Sequence, residues 1–599
     1  MSQTVGDVLL SRLRQWDVRQ VFGYPGDGIN GLLAAWAAAD DAPQFVQSRH
    51  EEMSAFQAVG YAKFSGDVGV CCATSGPGGI HLLNGLYDAK LDHVPVVAIV
   101  GQTERSAIGG DYQQEIDMLS LYKDVCSDFV QMCTVPEQLP NLLDRAIRIA
   151  RTAQAPTAII VPSDVFEVTY SPPGHAFKEV PSSLGLPSST VAPDPDALTA
   201  AAEVLNAGTK VAMLVGQGAR GAADELVEVA DLLGAGCAKA LLGIDILPDD
   251  LPWVTGSVGL LGTTASHHLM RDCDTLMMVG TSFPYTQFLP QLEQARAVQI
   301  DSSGRRIGMR YPIEVPVVGD AKATLRHLIP LLRRKDDRSF RVGIEKSVAR
   351  WRSTAQRQAM TGADPINPMR IVHEFSRRAP SNAMVSTDSG SAVNWYARHI
   401  EWRGDMRGSL SGTLATMGCA VPYAIGAKWA HPDRLAIAFE GDGAMQMNGL
   451  AEMLTVAHYW RQWDDPRLVA AVLHNNDLNQ VTWEQRAMTG SPKFAASQTL
   501  PEIDYAAFAR GIGLTGIAVD DPEEIGPAWD RALAADRPTL LDIRCDPSVP
   551  PIPPHATLDQ ATALSSALVK GDEDAWDVVR QGVRQKVQQY LPGTKPEQS

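Results

Sequence analysis

The 599-residue chain, 45% apolar and 20% charged, is long enough for about three or four globular domains, each able to bury its own core. A net charge of −17 implies no basic surface and argues against a general nucleic-acid binder, and no apolar run approaches the roughly 18 residues needed to cross a bilayer. The opening residues lack the basic and apolar regions of a secretory signal, and eight cysteines without C-x-x-C spacing read as reduced, buried thiols, so a cytoplasmic protein is expected.

In chain order, three blocks repeat a short apolar run, a glycine-bearing turn and a helical stretch. That alternation predicts an α/β protein of doubly wound parallel sheets. In residues 1–170, strands are predicted at Gln20–Gly23, Val68–Ala73, Val94–Val100 and Thr157–Val161, with helices over Glu52–Phe64 and Glu137–Ala153. A Pro- and Ser-rich linker, 171–190, closes the block. In the second block, 191–333, the strand Val211–Val215 runs into Gly216-Gln-Gly-Ala-Arg-Gly221 and a helix over Ala222–Leu233. A G-x-G-x-x-G turn in this setting can cradle a pyrophosphate on amides at a helix start, and it can equally be a plain tight turn. The next strand, around Cys237–Ala240, is not followed by the acidic residue that an NAD ribose requires, so simple NAD binding is disfavoured. A charged, helical stretch continues to about residue 363.

The third block, 367–545, carries Gly441-Asp442-Gly443 behind the predicted strand Leu435–Phe439, and Asn475-Asn476 behind Leu468–Leu473. Parallel strands can bring these ends together and present hard oxygen ligands to Mg²⁺, which favours octahedral oxygen coordination shared between protein and phosphate. The glycines would let the backbone approach phosphates closely. Alone, the tripeptide also suits an ordinary strand-to-turn link. Beyond the Pro-rich strip 549–554, residues 556–599 read as a helical tail. Within it, Asp574–Leu591 places Trp576, Val579, Val583, Val587 and Tyr590 on roughly one face.

Over nearly all of residues 1–555 the chain resembles the thiamine diphosphate enzymes of the pyruvate oxidase and acetolactate synthase group. The resemblance rests on Arg49-His50-Glu51-Glu52, Gly60-Tyr-Ala-Lys63, Ser75-Gly-Pro-Gly-Gly79, Gly101-Gln102 and the Gly-Asp-Gly and Asn-Asn pair. It implies a pyrimidine-binding domain (1–170), a central FAD-binding-like domain (191–333) and a diphosphate- and Mg²⁺-binding domain (367–545). It further implies that Glu51 pairs with N1′ of the aminopyrimidine, that Leu414, Ala415 and Thr416 meet the pyrimidine edge, and that Met417 holds the cofactor bent. Asp442, Asn476 and the carbonyl of Leu478 would bind Mg²⁺, with Gly443 and Ala444 against the diphosphate. In the middle block, Gly216, Gly218, Arg220, Val258, Gly259, Leu260, Leu261, Gly280, Thr281, Ser282, Phe283 and Pro284 would line FAD, with Asp301 near its ribose.

Gly78–Gly85, Leu91–Pro95 and Gly280–Pro284 are more similar to the pyruvate oxidase and pyruvate:quinone dehydrogenase branch, in which Gln114 matches an acid–base glutamine. Two aromatics that the oxidases place between thiamine and flavin are absent: Gln113 and Val481 stand there. The specificity tryptophan of acetolactate synthases is replaced by Gln485, with Trp483 out of register. The implied activity is oxidative decarboxylation of a 2-oxo acid, pyruvate foremost, to acetate or acetyl phosphate, with electrons passing through FAD to quinone or oxygen. The alternative is a carboligase in which FAD is structural. Such enzymes form dimers or tetramers with thiamine between subunits. In the quinone-reducing branch a C-terminal amphipathic segment contacts the inner face of the membrane, which makes the tail a candidate for the same.

Overall fold

The computed structural model describes residues 3–176, 178, 180–185, 190–553, 563, 566–567, 570, 572 and 574–590. The first sheet holds β1 (Gln20–Gly23), β2 (Gln44–Gln47), β3 (Gly69–Ala73), β4 (Val96–Gln102), β5 (Val130–Met132) and β6 (Pro156–Pro162). The second holds β7 (Val211–Val215), β8 (Gly236–Lys239), β9 (Val254–Ser257), β10 (Thr275–Val279), β11 (Arg296–Asp301) and β12 (Val315–Val318). The third holds β13 (Met384–Thr387), β14 (Arg407–Ser409), β15 (Ala436–Gly441), β16 (Leu468–His474), β17 (Thr515–Val519) and β18 (Thr539–Arg544). Each sheet is parallel and six-stranded, so the chain has the predicted α/β architecture. Strands β3, β4, β6 and β16 are buried along their whole length, as near-continuous apolar runs in a sheet covered on both faces should be.

The outer two sheets are topological twins. Their orders are β2-β1-β3-β4-β6-β5 and β14-β13-β15-β16-β18-β17. The loop before Glu51 follows β2 as the loop carrying Leu414–Met417 follows β14. Ser75–Gly79 follows β3 as Asp442–Ala444 follows β15, and Gln114 lies beyond β4 as Asn476 lies beyond β16. The middle sheet, β12-β11-β10-β7-β8-β9, is wound in the order of dinucleotide-binding folds, with its switch point between β7 and β10.

Two helices join the twins. Glu51–Ser65 crosses Ala420–Ala430 with backbones nearly touching. A Cβ on Gly426 would lie 2.3 Å from the carbonyl oxygen of Gln57, and one on Gly60 would lie 2.6 Å from Cα of Tyr423. One apolar core, including Phe56, Val59, Tyr423 and Ile425, therefore runs through both domains.

In the first sheet, strands β2 and β5 escape the sequence reading. Both are short, partly polar edge strands whose place is set by the neighbour they pair with rather than by their own pattern. All eight cysteines are free and buried.

In the tail, Ala575–Tyr590 is helical, while most of 556–573 and the side chain of Tyr590 lie outside the described residues. The helix packs on Ser339–Ala359, where Arg357 Nη2 donates to the carbonyl of Gln588 at 2.9 Å. Val578, Gln581 and Gln585 face inward, whereas Trp576 is 86% exposed and Val579, Val583 and Val587 share its outward side. Among the described residues no helix is long and apolar enough to cross a membrane.

Candidate active site

The first half of the site is built at the start of the helix Glu51–Ser65. His50 caps it, Nδ1 accepting the N–H of Glu52 at 3.3 Å, and the acidic first turn suits the helix dipole. Glu51 is 8% exposed, with its Oε2 3.0 Å from Nδ1 of His81. The His50 and His81 rings lie 4.3 Å apart between centroids. On one side of the Ser75–Gly79 loop, Gly78 faces the Glu51 carboxyl; on the other, Gly76 abuts Gln114. Gln114 is held in a left-handed conformation (φ +63°), and its Oε1 accepts a hydrogen bond from Ser75 Oγ at 2.9 Å. Two predicted residues 63 positions apart thus flank one loop.

The second half gathers at the carboxyl ends of β15 and β16. Asp442 is buried and accepts N–H groups of Gly443 (2.9 Å), Asn475 (2.8 Å) and Asn476 (2.5 Å). Burial nevertheless pushes its carboxyl up to about 6, a penalty that a bound cation would relieve. Asn476 Oδ1 lies 2.9 Å from His474 Nε2, and its Nδ2 donates to Glu502 at 2.6 Å. The Leu478 carbonyl accepts from Thr482 N–H, and the Leu478 side chain covers Gly443, where a Cβ would meet its Cδ2 at 2.5 Å. Carboxylate, amide oxygen and carbonyl are the hard donor set that suits a Mg²⁺ whose remaining ligands come from a diphosphate. Ala444 is buried beside them, while Val481 is half exposed.

Leu414, Thr416 and Met417 are partly buried, Ala415 has φ +54°, and Gly418 N–H donates to Asp388 at 2.9 Å. Among the described residues no hydrogen bond or ion pair joins Glu51 to Met417, Asp442 or Asn476. One link within the chain is Asn84, whose Nδ2 donates to Glu52 at 2.5 Å and to Thr416 Oγ1 at 3.1 Å.

Three supporting residues escape sequence reasoning. Glu452 accepts the Arg49 N–H (2.8 Å) and Gln57 Nε2 (2.6 Å), and burial pushes its carboxyl up to about 7. His474 is fully buried with Nδ1 2.6 Å from Asp542, which contributes to raising its pKa against the opposing effect of burial. Asp92, also buried, bonds to the loop that carries Thr416. His474 directly precedes the Asn pair, which is a signal that could have been read; the other two become visible only when domains dock.

In the middle domain the loops after β7 and β10 meet at the switch point. Their glycines serve each other: a Cβ on Gly216 would sit 2.6 Å from the Gly280 carbonyl oxygen, and one on Gly280 would sit 2.4 Å from Gly218. The amides of Gly216, Gly218, Ala219 and Arg220 all donate within the protein, to Val279, Gly280, Gly216 and Gln217. Loop-to-loop packing therefore requires Gly216 and Gly218, whereas Gly221, with φ +80° and nothing within 4 Å of an added Cβ, serves the turn itself. Arg220 pairs with Asp245 at 2.7 Å. The carbonyls of Leu260 and Leu261 accept from Arg398, and Phe283 packs edge-on to Tyr285 beside Pro284. Val258 and Thr281 are buried, Gly259 contacts Phe283, and Ser282 is half-buried. Asp301, at the end of β11, accepts the Ser303 N–H at 2.9 Å.

Three family models match in order: the thiamine pyrophosphate enzyme N-terminal TPP binding domain over residues 3–121, the central domain over 198–328 and the C-terminal TPP binding domain over 388–543. A putative thiamine pyrophosphate-containing protein, YdaP, of Bacillus subtilis is 34% identical over 574 residues, covering 95% of this chain and 96% of that one. The pyruvate oxidase of Lactiplantibacillus plantarum is 27% identical over 94% of this chain and 92% of its own. A probable acetolactate synthase large subunit of Methanocaldococcus jannaschii is 29% identical over 92% and 94%. With the three domains in order, Glu51 beside its glycine loop and Asp442 beside its Asn pair, the chain belongs to the thiamine pyrophosphate enzyme family.

Proposed function

We propose that this thiamine diphosphate-dependent enzyme oxidatively decarboxylates a 2-oxo acid, pyruvate foremost. Pyruvate and water would give CO₂ and acetate, or acetyl phosphate where phosphate replaces water. FAD held by the middle domain would supply the two-electron acceptor, with quinone or oxygen as the final oxidant. The observation that carries this reading is the middle sheet, wound in dinucleotide order, with its switch-point loop bonded through Gln217 Nε2 to the Asp92 carbonyl at 2.6 Å.

Thiamine diphosphate, when bound, supplies a thiazolium carbon that attacks the 2-oxo group and takes up the electrons left by departing CO₂. Asp442, Asn476 and the Leu478 carbonyl would hold Mg²⁺ and, with Gly443 and Ala444, fix the diphosphate. Glu51 would share a proton at N1′ of the pyrimidine, and Met417 would support the bent cofactor. Gln114, fixed by Ser75, would orient the substrate oxygen.

We assign the complete site to a homodimer or homotetramer, with the first domain of one subunit facing the third domain of another, a reading supported by the likeness of the two domains' sheets and loops. The outward stripe at Trp576 supports peripheral contact with a membrane.

A carboligase, with FAD structural, is the second reading. It is favoured by Gln113 and Val481, both solvent-facing and neither able to supply an aromatic ring between the cofactors. Anaerobic mixing of holoenzyme with pyruvate decides between them. Bleaching of the flavin band supports the oxidoreductase; acetolactate formed with the flavin still oxidised overturns it.

A further inference from the structure

The segment Leu410–Gly418 is pinned at both ends and open in the middle. At its start, the Leu410 carbonyl accepts Lys63 Nζ at 2.6 Å, and the N–H groups of Gly412 and Thr413 each donate to Asp92 at 2.8 Å. At its end, Gly418 N–H is held by Asp388. Between these, the N–H groups of Leu414, Ala415 and Met417 make no hydrogen bond among the described residues. The stretch that would meet the pyrimidine is therefore positioned by anchors on either side.

Asp92 is the first-domain anchor that holds two of the segment's amides, beside Lys63 on the Leu410 carbonyl and Asn84 on Thr416 Oγ1. It is fully buried, and its carboxylate also binds Lys63 at 2.7 Å. Against the opposing effect of burial, Asp88 and Asp92 raise the Lys63 ammonium above its ordinary range and keep it charged. Charged hydrogen bonds are about twice as strong as neutral ones, and burial strengthens them further, so this carboxylate fixes the two amides firmly. The Asp92 carbonyl, in turn, accepts Gln217 Nε2 at 2.6 Å from the switch-point loop of the middle domain. One residue thus touches the thiamine-facing segment with its side chain and the flavin-domain loop with its backbone.

We propose that Asp92 is a positioning residue that transmits occupation of the middle-domain crevice to the thiamine-facing segment Leu410–Gly418. The proposal rests on the reading that the crevice takes FAD. A flavin ordering the loop around Gln217 would fix the Asp92 carbonyl and lower the ordering needed when thiamine diphosphate binds. The two cofactors would then tighten each other's binding by the same factor.

The test is calorimetric titration of thiamine diphosphate, at saturating Mg²⁺, into full-length protein stripped of flavin and into the same protein reloaded with FAD. Wild type should bind about 5-fold or more tightly when flavin is present. Gln217→Leu should retain flavin, seen by its visible absorbance, with the two affinities within about 2-fold of each other, a loss of the coupling. Asp92→Asn should weaken thiamine diphosphate in both states while keeping wild-type far-ultraviolet dichroism. Bound flavin with an unchanged thiamine diphosphate Kd in wild type, or full coupling in Gln217→Leu, overturns the proposal alone. A wild type that takes up no flavin overturns the FAD reading and the coupling with it.

Discussion

Glu452, on the third-domain helix Leu450–Tyr459, accepts the Arg49 N–H at 2.8 Å and so fixes the turn that leads into Glu51 from 403 residues away. Burial raises this carboxyl from 4.5 to about 7, so the folded state keeps a proton that the unfolded chain has released. Stability from this group is complete below about pH 4.5 and is lost as pH rises through 7, by about 3 kcal/mol at most. Glu452→Gln should therefore flatten the decline between pH 5 and pH 8, read as the difference from wild type in urea unfolding at each pH. Parallel declines in both proteins would dismiss the assignment.

Replacing Glu51 should separate binding from chemistry. Glu51→Gln keeps the volume and the helix start but cannot share a carboxyl proton at N1′. We expect turnover to fall by about 10²- to 10⁴-fold, the usual range for loss of a positioned proton-transfer group. Proton exchange at the thiazolium carbon, followed by NMR in deuterated buffer, should slow in parallel. Exchange at the wild-type rate would place the proton function elsewhere.

Much of this architecture is legible along the chain because burial has a period. The runs that became β3, β4, β15 and β16 are apolar on both faces, and the loops behind them carry Ser75–Gly79, Gly441–Gly443 and Asn475-Asn476 to the sheet edges. Edge strands such as β5, three residues with none buried, leave no such trace. Nor does Glu452, whose partners lie in another domain, and the motif Leu91–Pro95 does not reveal that Asp92 bonds Gly412 and Thr413 across the domain junction. The Gly216–Gly221 turn carries a second constraint that its spacing does not reveal: Gly216 and Gly218 are also required by the facing loop at Gly280.

The crossing of Glu51–Ser65 with Ala420–Ala430 should be intolerant of added volume. A Cβ on Gly426 would meet main-chain atoms of three residues, the Gln57 carbonyl oxygen at 2.3 Å, the Tyr61 nitrogen at 2.5 Å and the Gly60 carbonyl carbon at 2.9 Å, and none can rotate aside. Alanine would gain about 1 kcal/mol in helix propensity, but overpacking costs about 1–3 kcal/mol and a main-chain clash lies at the upper end. Gly426→Ala should lose about 2 kcal/mol in urea unfolding and bind thiamine diphosphate more weakly, since both helices start at the site. An unchanged midpoint would contradict the close crossing.

The tail allows a test in which stability and surface contact come apart. The helix Ala575–Tyr590 turns Val578, Gln581 and Gln585 toward its own protein and leaves Trp576 86% exposed above Val579, Val583 and Val587. Arg580, Arg584 and Lys586 stand on the same helix against one acid, Asp577, in a chain whose overall charge is −17. An apolar stripe with basic neighbours is the surface that settles on anionic lipid, where tryptophan occupies the headgroup level. Trp576→Ser touches nothing buried, so unfolding should shift by less than about 0.5 kcal/mol. Co-sedimentation with phosphatidylglycerol-containing vesicles should nonetheless drop sharply, and quinone reduction in the presence of lipid should fall with it. Val578→Ser, on the inward side, should do the reverse in the first respect and destabilise the docked helix. Equal vesicle binding by wild type and Trp576→Ser would remove the tail from any membrane role.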